Sequence, residues 1–170
     1  MIWILDTCAL SWVRQIPRVG KKGEVEVFEQ LTSMLEADLI VFPSQVVDEL
    51  EERGHDDPEY RPFHWAREHK KQACRFGHLF GEVTEVLAHQ QIRRICEWDK
   101  AKGADPADPH ILALATHLRD SGQAVTVVSE DRVDKARKLS VATACGLLQV
   151  FWLRTEPFLV DQDIIPPVDE

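Results

Sequence analysis

The sequence predicts an α/β protein, a three-layer α/β/α sandwich built on a central parallel sheet. Two observations carry this. Residues 2–5 (Ile-Trp-Ile-Leu), 39–42 (Leu-Ile-Val-Phe) and 124–128 (Ala-Val-Thr-Val-Val) are short apolar runs without alternation, the pattern of strands covered on both faces. Between them lie longer segments with apolar residues at helical spacing, and strands that alternate with helices pair in parallel through right-handed crossovers.

The first strand gives way to a short helix from Thr7 to about Gln15, ended near Pro17. Residues 18–23 (Arg-Val-Gly-Lys-Lys-Gly) read as a flexible basic loop. In residues 24–36, Val27, Phe28, Leu31, Met34 and Leu35 form one apolar stripe, hence an amphipathic helix. The second strand stops at Pro43. Ser44 is the expected N-cap of the next helix, whose Val46, Val47 and Leu50 face inward and which Gly54 ends. After a polar, proline-bearing loop at 54–62, the chain to about 101 reads as a helical insert stacked on the sheet. It contains two helices parted near residues 76–81, the first marked by Trp65, Ala73, Phe76, Leu79 and Phe80 and the second by Val83, Val86, Leu87, Ile92, Ile95, Cys96 and Trp98. Residues 102–109 are a turn-rich entry to a helix with Ile111, Leu114, Ala115 and Leu118 buried. A third strand ends in Ser129-Glu-Asp131, a short helix covers 141–146, and residues 149–153 form the last strand. The expected domain is therefore 1–153, with 154–170 a loosely held tail bearing Pro157, Pro166 and Pro167.

A chain of 170 residues is long enough to bury a self-sufficient core. No apolar run approaches a membrane span, and no basic start followed by a cleavable apolar stretch is present. Cys8, Cys74, Cys96 and Cys145 show no close pairing, so a reducing cytoplasm is the expected location. The 20 basic and 29 acidic residues leave a net charge of −9, which argues against gripping nucleic acid with the whole surface. Contact with a polyanion must be local, metal-bridged or assisted by another subunit.

Four acids share one topological address. Asp6 ends strand one, Glu49 flanks the apolar stripe of the helix after strand two, Asp108 opens the helix before strand three, and Asp131 follows strand three. Crossovers bring these points to the carboxyl edge of the sheet, where open α/β sheets bind ligands. Carboxylates crowded there repel unless neutralised, and a hard divalent cation, Mg²⁺ or Mn²⁺, is the ordinary neutraliser. Such an ion, with positions left open to water and phosphate oxygens, is the standard arrangement for phosphodiester hydrolysis. Each acid also has a plain structural reading. Asp6 is a possible helix cap. Asp108 before Pro109 makes a common cap pair, with Asp105 before Pro106 as the alternative cap or a secondary acid. Glu49 lies among Asp48, Glu51 and Glu52 on what could be a solvated face, and Asp131 could be a turn residue.

Ile4-Leu-Asp6-Thr7, Pro43-Ser-Gln-Val-Val-Asp-Glu49-Leu50, Ala107-Asp108-Pro-His-Ile-Leu-Ala-Leu-Ala115 and Val127-Val-Ser129-Glu-Asp131 resemble, in that order, the signature of PIN domains. Within them the chain is most similar to small prokaryotic PIN proteins related to VapC-type toxins of toxin–antitoxin pairs. The resemblance spans residues 1–153 and is weakest across the helical insert. It implies a metal-dependent endoribonuclease using Mg²⁺ or Mn²⁺, with RNA as substrate, a cognate antitoxin as inhibitor, and a homodimer. Carried over by position, Asp6 and Asp108 would anchor the ion. Glu49 would hold it or orient the attacking water, and Asp131 would complete the site. Thr7 and Ser129 match hydroxyl positions beside the acids. Glu130 stands where a neutral or basic residue is commoner, so the fourth position could be shared between Glu130 and Asp131. Arg132, Lys135, Arg137 and Lys138, just beyond, are the candidates for holding the RNA backbone, against a plain reading as a solvated helix face.

Other chemistries are less well supported. Cys74, His78, His64 and His69 lack a recognised zinc spacing. His110 reads as a surface histidine, and Trp12, Trp65, Trp98 and Trp152 as core or interface residues. There is no GxGxxG after a strand and no phosphate-binding GxxxxGK[ST]. Haloacid-dehalogenase-type phosphatases also begin with an aspartate after a strand, but they want a second aspartate two residues on, where Cys8 stands. A PIN-like adaptor acting by binding alone is the principal alternative.

Overall fold

A computed structural model describes residues 1–95 and 106–167. Its centre is a four-stranded, all-parallel sheet in the order β2-β1-β3-β4, made of β1 (Ile2–Leu5), β2 (Ile40–Val41), β3 (Val125–Val128) and β4 (Phe151–Leu153). Trp3 pairs with Ile40 on one side and Thr126 on the other, and Val127 pairs with Trp152. The central strands are apolar on both faces because helices cover both, which gives the α/β/α sandwich the sequence predicts. β2 keeps only two of its expected four residues.

The chain winds outward from β1 to β2, then crosses back to add β3 and β4 on the other flank. The direction reverses between β1 and β3, so a crevice opens at their carboxyl ends. Two backbone bonds extend the ladders by one residue. The Asp6 N–H donates to the Val128 carbonyl at 3.0 Å and the Ser129 N–H to the Leu153 carbonyl at 3.0 Å. Asp6 and Ser129 are thereby fixed side by side at the mouth of that crevice.

α1 (Thr7–Trp12), extended by a 3₁₀ turn to Gln15, follows β1 as expected. α2 (Gly20–Glu36) starts earlier than its apolar stripe, so most of the expected basic loop at 18–23 is helical. Its first turns bury Glu24, which Arg14 meets at 2.9 Å. α3 (Ser44–Gly54) begins with Pro43 as its cap residue. Ser44 lies inside the helix, its hydroxyl donating to Gln45 Oε1 rather than capping. Gly54 is required where it stands, since a Cβ there would lie 1.9 Å from the Tyr60 ring.

The insert comprises α4 (Arg61–Glu68), α5 (Lys70–Ala73), α6 (Phe80–Ala88) and a 3₁₀ turn at Ile92–Ile95; Cys96, Trp98 and Asp105 lie outside the described residues. α7 (Ala107–Asp120) packs between α6 and β3 and is apolar nearly all round, with Ile111, Leu112, Ala113, Ala115 and Leu118 at 0% exposure. α8 (Val141–Leu147) is capped by Ser140, whose Oγ accepts the Thr143 N–H at 3.2 Å.

Two expectations fail here. The stretch after Leu153 is not loosely held: α9 (Thr155–Asp161) packs Phe158 and Leu159 into the core, with the Phe158 ring 4.9 Å from Trp3. Pro157 does not prevent this, because it falls in the first turn, where the missing N–H has no helical partner to lose. Burying each of those side chains is worth about 2 kcal/mol, enough to hold a short helix. The basic stretch 132–138 is also not helical; it is a loop closed by mutual backbone bonds between Lys135 and Lys138. No helix among the described residues is long and apolar enough to cross a membrane.

Candidate active site

The four acids are held at the carboxyl end of the sheet by two different kinds of partner. Asp6 is 3% exposed, and its Oδ2 accepts from the Ser129 hydroxyl at 2.6 Å and the Cys8 thiol at 2.8 Å. Its side chain makes no cap bond to α1, so the capping reading fails for Asp6. Ser129 Oγ in turn accepts the Asp131 N–H at 3.0 Å, linking the ends of β1 and β3. Glu49 is a brace. Its Oε2 accepts from Thr7 Oγ1 at 2.5 Å and its Oε1 from the Ala107 N–H at 2.9 Å, tying α3 to the start of α1 and of α7. The solvated-face reading of Glu49 fails with those bonds.

Asp108 sits in the first turn of α7, where Pro106 is the cap residue and no side-chain cap is made. Its Oδ2 instead meets Lys138 Nζ at 2.9 Å, and the same Nζ meets Asp131 Oδ2 at 2.9 Å. Asp131 Oδ2 also accepts the Val141 N–H at 3.3 Å. The side chains of Asp108, Asp131 and Lys138 are 15%, 22% and 21% exposed, so this half of the cluster is reachable from solvent.

Electrostatics reflect the crowding. Burial raises the Asp6 carboxyl above its ordinary value of 3.8. The Cys8 and Ser129 bonds oppose that rise, and the charge of Glu49 adds to it. Asp108 is pushed up to about 7, first by burial and then by Asp6, with Lys138 pulling the other way. Burial alone would lower the Lys138 ammonium, but Asp108 and Asp131 outweigh it and raise its pKa. Cys8 is raised by burial and by Asp6, so it stays a thiol at neutral pH and acts here as a donor.

The donor set is of the kind a hard divalent cation takes: four carboxylates, Glu49 and Asp108 from two helices and Asp6 and Asp131 from beyond two strand ends, with neutral hydroxyls beside them. Among the described residues, however, no three His, Cys, Asp or Glu side chains are gathered closely enough to ligate an ion in the arrangement seen. The Lys138 ammonium occupies the gap between Asp108 and Asp131.

Other candidates fall differently. Thr7 and Ser129 lie beside the acids, bonded as described. Glu130 does not share the fourth position: its Oε2 accepts from Arg154 Nε at 3.1 Å and its Oε1 from the Thr155 N–H at 2.9 Å, anchoring the start of α9. Arg132, Lys135 and Arg137 are exposed on the 129–140 loop, whereas Lys138, grouped with them in the sequence, points into the acids. His110 is 6% exposed and therefore not a surface residue. Cys8 and the inward turn of Lys138 were missed from sequence. For Cys8 a signal existed, a polarisable donor two residues after Asp6; for Lys138 none did, because a basic run does not reveal which member turns inward.

No protein-family model, no curated protein and no solved structure matches the chain. The resemblance to PIN domains therefore rests on its four motifs.

Proposed function

We propose that this chain is a divalent-metal-dependent endoribonuclease, working with Mg²⁺ or Mn²⁺. What carries the reading is that Asp6, Glu49, Asp108 and Asp131, far apart in sequence, meet at the reversal point of the sheet, where Asp6 and Asp108 are both disfavoured as anions by burial. Asp6 and Asp108 would hold the ion, with Asp131 and Glu49 completing the negative field. A bound divalent ion supplies Lewis-acid stabilisation of the charge growing on phosphate oxygens and lowers the pKa of water. The chain's own residues do the positioning. Ser129 and Cys8 orient Asp6 through Oδ2, and Thr7 with the Ala107 N–H fixes Glu49. Exposed Arg132, Lys135 and Arg137 offer local positive charge to an RNA backbone on a chain whose net charge is −9. On the resemblance, the biological role is that of the toxin in a toxin–antitoxin pair, acting as a homodimer restrained by a cognate antitoxin.

One observation favours a second reading, a PIN-like adaptor without catalysis: Asp108 and Asp131 already have a cation, in Lys138. Single-stranded RNA incubated with Mn²⁺ and the native chain, Asp6→Asn or Asp108→Asn separates the two. Cleavage by the native chain that is lost in both variants supports the nuclease; equal, negligible cleavage by all three moves the weight to the adaptor.

A further inference from the structure

We infer that Lys138 is a tethered stand-in cation: its ammonium holds Asp108 and Asp131 together in the metal-free chain and must withdraw for Asp108 to share a divalent ion with Asp6. The inference rests on the metal-site reading above and deepens it. Nζ stands 2.9 Å from one carboxylate oxygen of each acid, so the Asp108 oxygen that would face an ion is already taken by the ammonium. Asp131 is held in place independently of the lysine, by the Val141 N–H, and Asp108 by its place in the first turn of α7. The acids therefore stay when the ammonium leaves. One positive charge set against four carboxylates leaves most of their repulsion in place, whereas a divalent ion offsets twice as much.

The lysine side chain can leave while the loop base stays tied. Lys138 follows the exposed 132–137 stretch, and the Lys135 N–H donates to the Lys138 carbonyl at 2.8 Å and the Lys138 N–H to the Lys135 carbonyl at 3.3 Å. Beyond it, Leu139 and Ser140 are buried, and the Ser140 N–H donates to Asp134 Oδ1 at 2.8 Å. Nζ hangs on a four-carbon stem at the foot of a solvent-facing loop, and it can swing outward while the buried residues after it remain docked. Metal entry and loop release are then one exchange. The displaced charge joins Arg132, Lys135 and Arg137 on the outer face, where a phosphate backbone would meet it.

The test is Mn²⁺ binding by calorimetry on the native chain, Lys138→Met and Lys138→Gln, together with hydrogen exchange of the 132–138 amides in the native chain with and without Mn²⁺. The expected result is Mn²⁺ binding about tenfold or more tighter in the variants, and exchange at 132–138 that speeds up severalfold on adding Mn²⁺ to the native chain. Binding by the variants alone overturns the exchange, since the lysine would then exclude the ion from the native chain rather than yield to it, and it removes the nuclease reading as well. Equal Mn²⁺ affinity in all three with no change in loop exchange overturns the inference and leaves the metal site standing. No Mn²⁺ binding by any of them overturns both. The exchange measurement needs only the native chain, so a variant that fails to fold does not rescue the proposal.

Discussion

The two halves of the acid cluster are held by opposite means. Asp6 and Glu49 are fixed by neutral donors (a hydroxyl and a thiol on one, a hydroxyl and a backbone N–H on the other) that belong to strand ends and helix starts. Asp108 and Asp131 are bridged by a single ammonium from a solvent-facing loop. Neutral donors hold a carboxylate whether or not a cation is near, so the first half is preorganised. An ammonium competes directly with any other cation, so the second half is exchangeable. A site can thus be rigid where it anchors and adjustable where it opens.

The largest expected effect tests the preorganised half. On the proposed function, Asp6→Asn removes an ion ligand from the most buried position, and Mn²⁺-dependent RNA cleavage should fall by about 100-fold or more, the several kcal/mol that a catalytic ion supplies. Cleavage retained within a few-fold would break the division at its firmer side. Next comes Glu49→Ala, which strands the Thr7 hydroxyl and the Ala107 N–H. It should cost about 3 kcal/mol in urea unfolding, since each bond is made to a charged acceptor. A loss under about 1 kcal/mol would mean that Glu49 is not a brace.

The exchangeable half has a pH signature. The folded-state pKa of Asp108, about 7, lies above its ordinary value of 3.8, so between those values the folded chain binds more protons than the unfolded one. The part of the stability that comes from protonated Asp108 is therefore complete below about pH 4 and is lost as pH rises through 7. Asp6, raised in the same direction, adds the same sign. In Asp108→Asn the metal-free chain should lose less of its melting temperature between pH 5 and pH 7.5 than the native chain does, about these limits following from the shift. An unchanged slope would place the titration elsewhere. The smallest effect belongs to a residue outside both halves. Glu130→Gln should leave cleavage unchanged and cost about 1 kcal/mol, because it loosens only the Arg154 and Thr155 contacts at the start of α9.

How far this arrangement is legible in the sequence follows the same division. Asp6 is legible because the apolar run of β1 stops at it, and Ser129 because β3 stops there too. Strand ends are marked by a change of polarity, and parallel topology then brings them together. Asp108 is legible as a position but not as a role, since an acid before proline looks like a cap; here Pro106 takes the cap position and Lys138 draws the carboxylate away. Lys138 itself was grouped with Arg132, Lys135 and Arg137, because a run of basic residues shows charge and not direction. Glu130 and Asp131 are neighbours that the backbone sends to opposite sides, one to α9 and one to the acids, which no pattern of spacing distinguishes. α9 is hidden because a stretch bearing Pro157, Pro166 and Pro167 reads as a loosely held tail, although Pro157 falls in a first turn.

Anomalous scattering from crystals soaked in Mn²⁺ tests most directly whether these acids gather around a cation. The account expects one strong peak bounded by carboxylate oxygens of Asp6 and Asp108 at about 2.2 Å, with the Lys138 ammonium withdrawn from between Asp108 and Asp131. Crystals at millimolar Mn²⁺ with no peak there, and Lys138 still bridging the two aspartates, would contradict it.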